Sequence, residues 1–311
     1  MEITNKMNAV IHYFLNADNF INGSFFYILD YYLYLVNECK KDIYFIGMSD
    51  DDYRPFIFDI ISKRYDVPII QNKYLWISLA GLERTADICL NLTKLLYKLV
   101  SYRITKCLLN IETLQLLNGI MPARLVAIQG THNTEIIKDK IDLSYNHYIL
   151  FEESDNYVKK LYLQRIKYNG YCSNNNTGFI NLKGLRYISE DQFEEYIQPH
   201  LSQLNKLYVF GDKNLRSNYD YLLKYDKIEM IYDNPSDLFS LFDTYIDMTL
   251  NTFDYSPRML IEAVWFGKKI IYIDNGREDG AKRRYNDIMN NNIDKYILAQ
   301  NDDIVNLFIK E

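Results

Sequence analysis

At 311 residues, with 48% hydrophobic and 15% aromatic content, the chain is about twice the length of a typical domain and has apolar surface enough for two cores, which excludes a disordered protein. Its net charge of −6 and pI near 5.4 argue against a protein that grips a phosphate backbone mainly by overall charge. No run of about 18 apolar residues occurs and no charged-then-apolar leader opens the chain, so neither a transmembrane segment nor a signal peptide is expected.

Apolar, β-prone residues predict a first strand over 8–14. A polar loop bearing Gly23 follows, then an apolar, tyrosine-rich helix over 25–39 and a second strand over 42–48. Strand, glycine loop, helix, strand is the opening of a doubly wound α/β domain, whose ligands gather at the carboxyl ends of the strands. Asp50, Asp51 and Asp52 stand next, before a helix over 53–65. Paired carboxylates suit Mn²⁺ or Mg²⁺ on a sugar nucleotide, and acids ahead of a helix equally serve its N-terminal dipole. Short strands are expected at 68–70 and 74–78, a helix over 82–100, and strands at 106–110 and 123–128; the last delivers Gln129 to Asn133 at its end. A strand over 147–151 leads through Glu152 and Glu153 into a helix over 155–168. The polar stretch 169–181 is the most loop-like in the chain, and it sets the expected boundary between a domain of residues 1–169 and one of residues 170–311.

The α/β rhythm then repeats. A strand and loop over 178–184 precede a helix over 190–204 and a strand over 206–210 that ends in Gly211, Asp212 and Lys213. A helix over 218–225, a strand over 228–232, a short helix over 236–242 and a strand over 247–250 follow, and the chain closes with a helix over 302–309. The expected fold class is α/β, with two Rossmann-like doubly wound domains facing a cleft. The four cysteines (Cys39, Cys89, Cys107, Cys172) lie far apart with no C-x-x-C pair, and the four histidines are equally scattered. That spacing indicates reduced thiols in a cytoplasmic protein and no structural metal site.

The stretch from Asp254 to Asp274, DYSPRMLIEAVWFGKKIIYID, organises the second half. Ser256 and Pro257 form a helix start, with a hydroxyl at the cap and proline in the first turn. The helix over 258–266 stops at Gly267 and leads into a strand over 270–273. A helix start gathers unpaired backbone N–H groups and can hold a diphosphate. Asp254, in the loop before it, is within reach of a sugar hydroxyl, and Glu262, inside the helix, can bridge the two hydroxyls of a ribose.

This stretch resembles the donor site of retaining GT-B glycosyltransferases, in which a carboxylate and a glutamate are separated by seven residues, as Asp254 and Glu262 are here. Pro257, Glu262-Ala263 and Gly267-Lys268 fall in matching places, and Asp254 stands where the family more often has Glu. The resemblance implies further residues. Gly23 matches the glycine loop over the cleft. His132, followed by Asn133, matches a histidine that faces the donor sugar. Lys183-Gly184 matches the end of a strand-and-loop motif whose arginine and lysine neutralise the donor diphosphate, although Phe179 stands near the arginine's place. His132 and Asp254 are then the catalytic pair that grips the sugar. Gly23, Lys183, Lys213, Ser256, Pro257, Arg258 and Glu262 are the donor-binding set, with Arg258 able to substitute for the missing arginine.

The resemblance implies a transferase that moves a sugar from a nucleotide sugar, most often UDP-linked in relatives, to an acceptor hydroxyl with retention. It implies no cofactor and no obligatory metal. Leaving-group charge would be stabilised by the helix dipole and cations. Lys282, Arg283 and Arg284 lie in the densest basic cluster, which reads either as a solvated loop and helix start or as a contact for an anionic acceptor. The acceptor stays open between a glycan or small molecule and a hydroxymethylated base in phage DNA. Twenty-nine tyrosines fit an AT-rich coding sequence, such as many phages and some low-GC bacteria have, while the acidic total charge disfavours DNA. Two other readings share the architecture: a non-catalytic nucleotide-binding protein and a nucleotide-sugar epimerase.

Overall fold

The protein is described from a computed structural model, which covers residues 8–13, 23–49, 51–78, 106–109, 127–129, 150–151, 160–167, 175–183, 186–233, 238–248, 258–273, 280–290, 293–300 and 302. The expected helix over 82–100, Asp50 and all but Asp302 of the expected closing helix lie outside these residues.

Two parallel sheets carry the fold. The first has six strands: β1 (Asn8–Tyr13), β2 (Ile43–Ser49), β3 (Tyr74–Ser78), β4 (Lys106–Leu109), β5 (Ala127–Gln129) and β6 (Leu150–Phe151), in the order β3-β2-β1-β4-β5-β6. The second has five: β7 (Thr177–Asn181), β8 (Lys206–Phe210), β9 (Ile228–Ile231), β10 (Thr244–Met248) and β11 (Lys269–Ile273), in the order β11-β10-β7-β8-β9. Every neighbouring pair is parallel. The strand order therefore reverses between β1 and β4 in one sheet and between β7 and β10 in the other. At such a reversal, loops leave in opposite directions and open a crevice outside the carboxyl ends of the strands.

Burial follows position in the sheet. All of β10 and the first four residues of β7 are buried, whereas the edge strands β9 and β11 are partly exposed. Parallel sheets are covered on both faces, so central strands must be apolar throughout. On one face of the second sheet Ile180, Leu182, Phe193, Leu207, Val209, Ile246 and Met248 join one core. On the other face Phe179 stacks on Phe242 at 4.9 Å and lies 6.3 Å from Tyr245.

The chain divides into two compact units, one of Met1–Arg165 with Ile297–Glu311 and the other of Ile166–Tyr296. The C-terminal segment belongs with the first unit through backbone pairing of Ile297 with Leu161 and a bond from Leu298 N to Leu161 O of 3.0 Å. The Gln164 amide donates to Leu298 O at 2.9 Å, and Lys160 pairs with Asp302.

Helix α1 (Gly23–Asn37) is buried along residues 25–35, and α2 (Arg54–Arg64) follows β2. In the second unit α3 (Glu190–Tyr196) starts on a capping box, with Gln192 N bonded to Ser189 Oγ at 3.3 Å and Ser189 N to the Gln192 side chain at 3.1 Å. The single helix expected over 190–204 breaks at Ile197 into α3 and α4 (Gln198–Leu201), because Pro199 brings no N–H to a continuous helix. The helix expected over 218–225 is 3-10 and begins earlier, at Lys213, where the Asp212 carboxylate accepts from Asn214 N at 2.9 Å. The strand expected at 68–70 does not form; Pro68 lacks a donor, and Ile70 stays 42% exposed. The helix expected over 155–168 gives way, in its described part, to a 3-10 turn at Leu163–Arg165, since Leu161 is drawn into pairing with Ile297.

Helix α5 (Arg258–Trp265) ends as the sequence requires. Gly267 takes φ +67°, Gly267 N bonds Val264 O at 3.0 Å, and Lys268 N bonds Ala263 O at 2.9 Å, which is a Schellman close. Helix α6 (Gly280–Met289) follows β11.

Candidate functional site

The crevice of the second sheet lies beyond the carboxyl ends of β7 and β10. Lys183 leaves β7 two residues after its end and is half-buried, its ammonium 5.5 Å from the ring centroid of Phe210, the last residue of β8. Its backbone N–H bonds the Asn181 side chain at 3.0 Å, which turns the chain sharply out of the strand. Arg186 follows on the same loop, with its N–H bonded to Lys183 O at 3.4 Å and its guanidinium 3.5 Å from the Tyr245 hydroxyl of β10. A cation from the β7 loop therefore reaches across to the neighbouring strand at the reversal. The Tyr219 hydroxyl accepts from Asp212 N at 3.1 Å and donates to Leu182 O at 3.2 Å, tying the exits of β7 and β8 together. Burial pushes the Tyr219 hydroxyl above its ordinary range, so it stays a donor at neutral pH.

Helix α5 supplies the other side. Arg258 Nε donates to Glu262 Oε1 at 2.8 Å one turn along the helix; the Glu262 side chain is buried, at 1% exposure, and that of Arg258 is partly buried, at 14%. A buried carboxylate is retained as an ion only where a cation answers it, and the pair does this within one helix. Sequence reasoning gave Arg258 to the diphosphate and Glu262 to the ribose; in the structure the two are joined to each other. Lys213 sits after β8, exposed and 3.6 Å from Asp233. Gly23 begins α1 at the exit of β1 in the first unit. Lys282, Arg283 and Arg284 lie in the first half of α6, with their side chains outside the described residues. His132, Asp254, Ser256 and Pro257 also lie outside the described residues.

Lys183 follows β7 and the Arg258–Glu262 pair lies in α5, the next described helix after β10, the strand beside β7; Arg186, which sequence reasoning did not single out, also follows β7. The signal was present: a cation three residues beyond Lys183, on the loop that leaves the first strand of a doubly wound unit. The resemblance directed attention upstream, to Phe179, and that residue is a fully buried core aromatic.

The acidic turn after β2 holds no described metal cluster. Asp52 accepts from Arg54 N at 2.9 Å and pairs with its guanidinium at 2.5 Å, and no group of three or more metal-binding side chains occurs among the described residues. No described helix is long and apolar enough to cross a membrane.

Neither a protein-family profile nor a curated protein sequence matches the chain. Among solved structures it is similar to a glycosyltransferase from Rickettsia africae, with a TM-score of 0.52 and 12% identity over 97% of this chain and 93% of that one. A weaker likeness, with a TM-score of 0.46 and 9% identity, links it to a UDP-GlcNAc 2-epimerase from Neisseria meningitidis over 97% of this chain and 98% of that one. The first of these shows the fold: α/β, with two Rossmann-like doubly wound domains in the manner of the GT-B glycosyltransferases.

Proposed function

We propose that the protein is a glycosyltransferase that moves a sugar from a nucleoside diphosphate sugar, with UDP as the expected carrier, to an acceptor hydroxyl with retention. The reading is supported by the cations Lys183 and Arg186 that follow β7 and by the Arg258–Glu262 pair of α5, the next described helix after β10, the strand at which the order of the second sheet reverses. A diphosphate needs fixed cations and N–H donors, and a ribose needs a carboxylate; in this reading the start of α5, the next described helix after β10, supplies both. In this reading the second unit holds the donor and the first faces the acceptor. His132 and Asp254 grip the sugar, and Ser256 and Pro257 shape the helix start. The dipole of α5 and the cations stabilise the departing diphosphate without an obligatory metal. The acceptor is a glycan or small molecule, with a modified DNA base as the rival, and the cytoplasm is the place of action.

The test is thermal stabilisation by a panel of nucleoside diphosphates and nucleotide sugars, with and without Mn²⁺. A ligand at about 100 times its dissociation constant adds roughly 2.7 kcal/mol, which is plain in the melting temperature. Stabilisation by one base that is lost in Glu262→Ala supports the donor site, and NMR of the transferred sugar then reads its anomeric configuration. No stabilisation by any nucleotide sinks the reading.

A further inference from the structure

The chain passes between its two units twice, after Arg165 and after Tyr296. In the first unit the residues next to these crossings lie side by side. Leu161 pairs with Ile297 in a single parallel bridge. Leu298 donates its N–H to Leu161 O at 3.0 Å and accepts at its carbonyl from the Gln164 amide at 2.9 Å. The buried Asp302 carboxylate closes the segment, accepting from Ala299 N at 2.6 Å and pairing with Lys160. So short an attachment opens at lower free energy than the core of a sheet or helix, which gives residues 297–302 two states, attached and released.

The segment has a different neighbour at each end. Before it, the 3-10 turn Ile293–Tyr296 packs against α5 and α6, with Tyr296 buried. Residues 160–165, which receive it, are anchored on the end of α1. There the Tyr162 ring meets Tyr34 edge-on, with centroids 5.4 Å apart at 86°, and the Tyr162 hydroxyl and Arg165 Nε both donate to Glu38. Helix α1 itself begins at Gly23, after β1, where the first sheet reverses. Each of these contacts lies within one unit, and the peptide bond from Tyr296 to Ile297 joins the two sets.

We propose that Ile297–Asp302 is a tether that couples nucleotide binding at α5 to the end of α1 in the first unit. This rests on the donor reading and names a regulation of that site. A nucleotide held at the start of α5 reduces the motion of the helix and of the turn packed on it. The tether that continues from the turn then loses less entropy when it attaches. Attachment in turn steadies residues 160–165 and the α1 end that they grip. Coupling between two sites is reciprocal, so loosening the tether in the first unit weakens nucleotide binding in the second by the same factor.

The test is amide hydrogen exchange with and without saturating UDP, on wild type, Asp302→Asn and Gln164→Ala, with UDP affinity measured by calorimetry on the same samples. Gln164 is exposed, so its truncation removes one bond of the tether and leaves the core intact. In wild type UDP should slow exchange at 34–39 and 160–165 as well as along α5. In both variants the protection in the first unit should be lost and UDP affinity should fall about fivefold, while saturating UDP still protects α5. Variants with a lower melting temperature but unchanged UDP affinity would make the segment a structural brace only, and the tether is overturned. Protection by UDP confined to the second unit, or equal first-unit protection in wild type and variants, overturns it also and leaves the donor site standing. If UDP binds to none of the three proteins, the donor reading falls and the coupling falls with it.

Discussion

The two sheets share one strand order and carry different side chains in and after their strands. In the second, Lys183 and Arg186 follow β7, the buried Asp247 lies in β10, and the next described helix, α5, pairs Arg258 with the buried Glu262. In the first, Trp76 of β3 lies over Gly47, with Tyr53 at its edge and Ser49 at its N–H, and Asp51 is exposed while Asp52 pairs with Arg54. Topology therefore supplies the crevice and says nothing about its occupant; the residues that leave each strand decide that.

The contrast can be broken most severely at Glu262. Removing it leaves Arg258 buried without its carboxylate, so Glu262→Ala should lose about 3 kcal/mol in chemical denaturation, and nucleotide stabilisation with it. A variant as stable as wild type would show that the pair relaxes to solvent. On the opposite edge, Gly47→Ala should cost about 1–3 kcal/mol by forcing the indole off the strand, with a red-shifted Trp76 emission in the Trp265→Phe background. UDP affinity should be unchanged by it, since the change lies in the other unit.

Arg186→Ala sharpens the comparison without threatening the fold. Its affinity for UDP should fall about tenfold while its affinity for uridine stays the same, because in the proposed donor site only the diphosphate meets the guanidinium. Equal loss for both ligands in calorimetry would assign Arg186 a purely structural task through Tyr245.

The smallest expected effect lies away from both edges. A hydrogen bond from the Tyr162 hydroxyl holds the Glu38 carboxyl below its ordinary value, with help from Arg165. A depressed folded value means stability that is present above the ordinary glutamate value and lost as pH falls through the folded one. Wild type should therefore exceed Glu38→Gln in stability near pH 7, and the gap should close in acid. A gap that persists at low pH would show that shape, not charge, holds this corner.

Much of the fold was legible in the chain because its signals are local. Ser189 and Gln192 declare a capping box, Gly267 declares a left-handed close, and the apolar runs that became β1, β2, β8 and β11 are short and bounded by polar turns. The errors came where a distant partner outbid the local signal. Leu161 left its expected helix for Ile297, and the residues at 68–70 had strand-like composition but no neighbour to pair with. Arg186 was passed over because a motif gives order along the chain and not reach across a sheet.

The sequence by itself determined the class: two α/β units, a capped helix with a carboxylate on its inner face, and a strand leading into Lys183. Periodicity, caps and glycine closes act within a few residues, so one dimension is enough to read them. Only the tertiary structure decided that Arg186 reaches Tyr245 and that Trp76 lies over Gly47. Each of these depends on side-chain direction or strand register, which hydrogen bonding between distant segments sets and no local pattern contains.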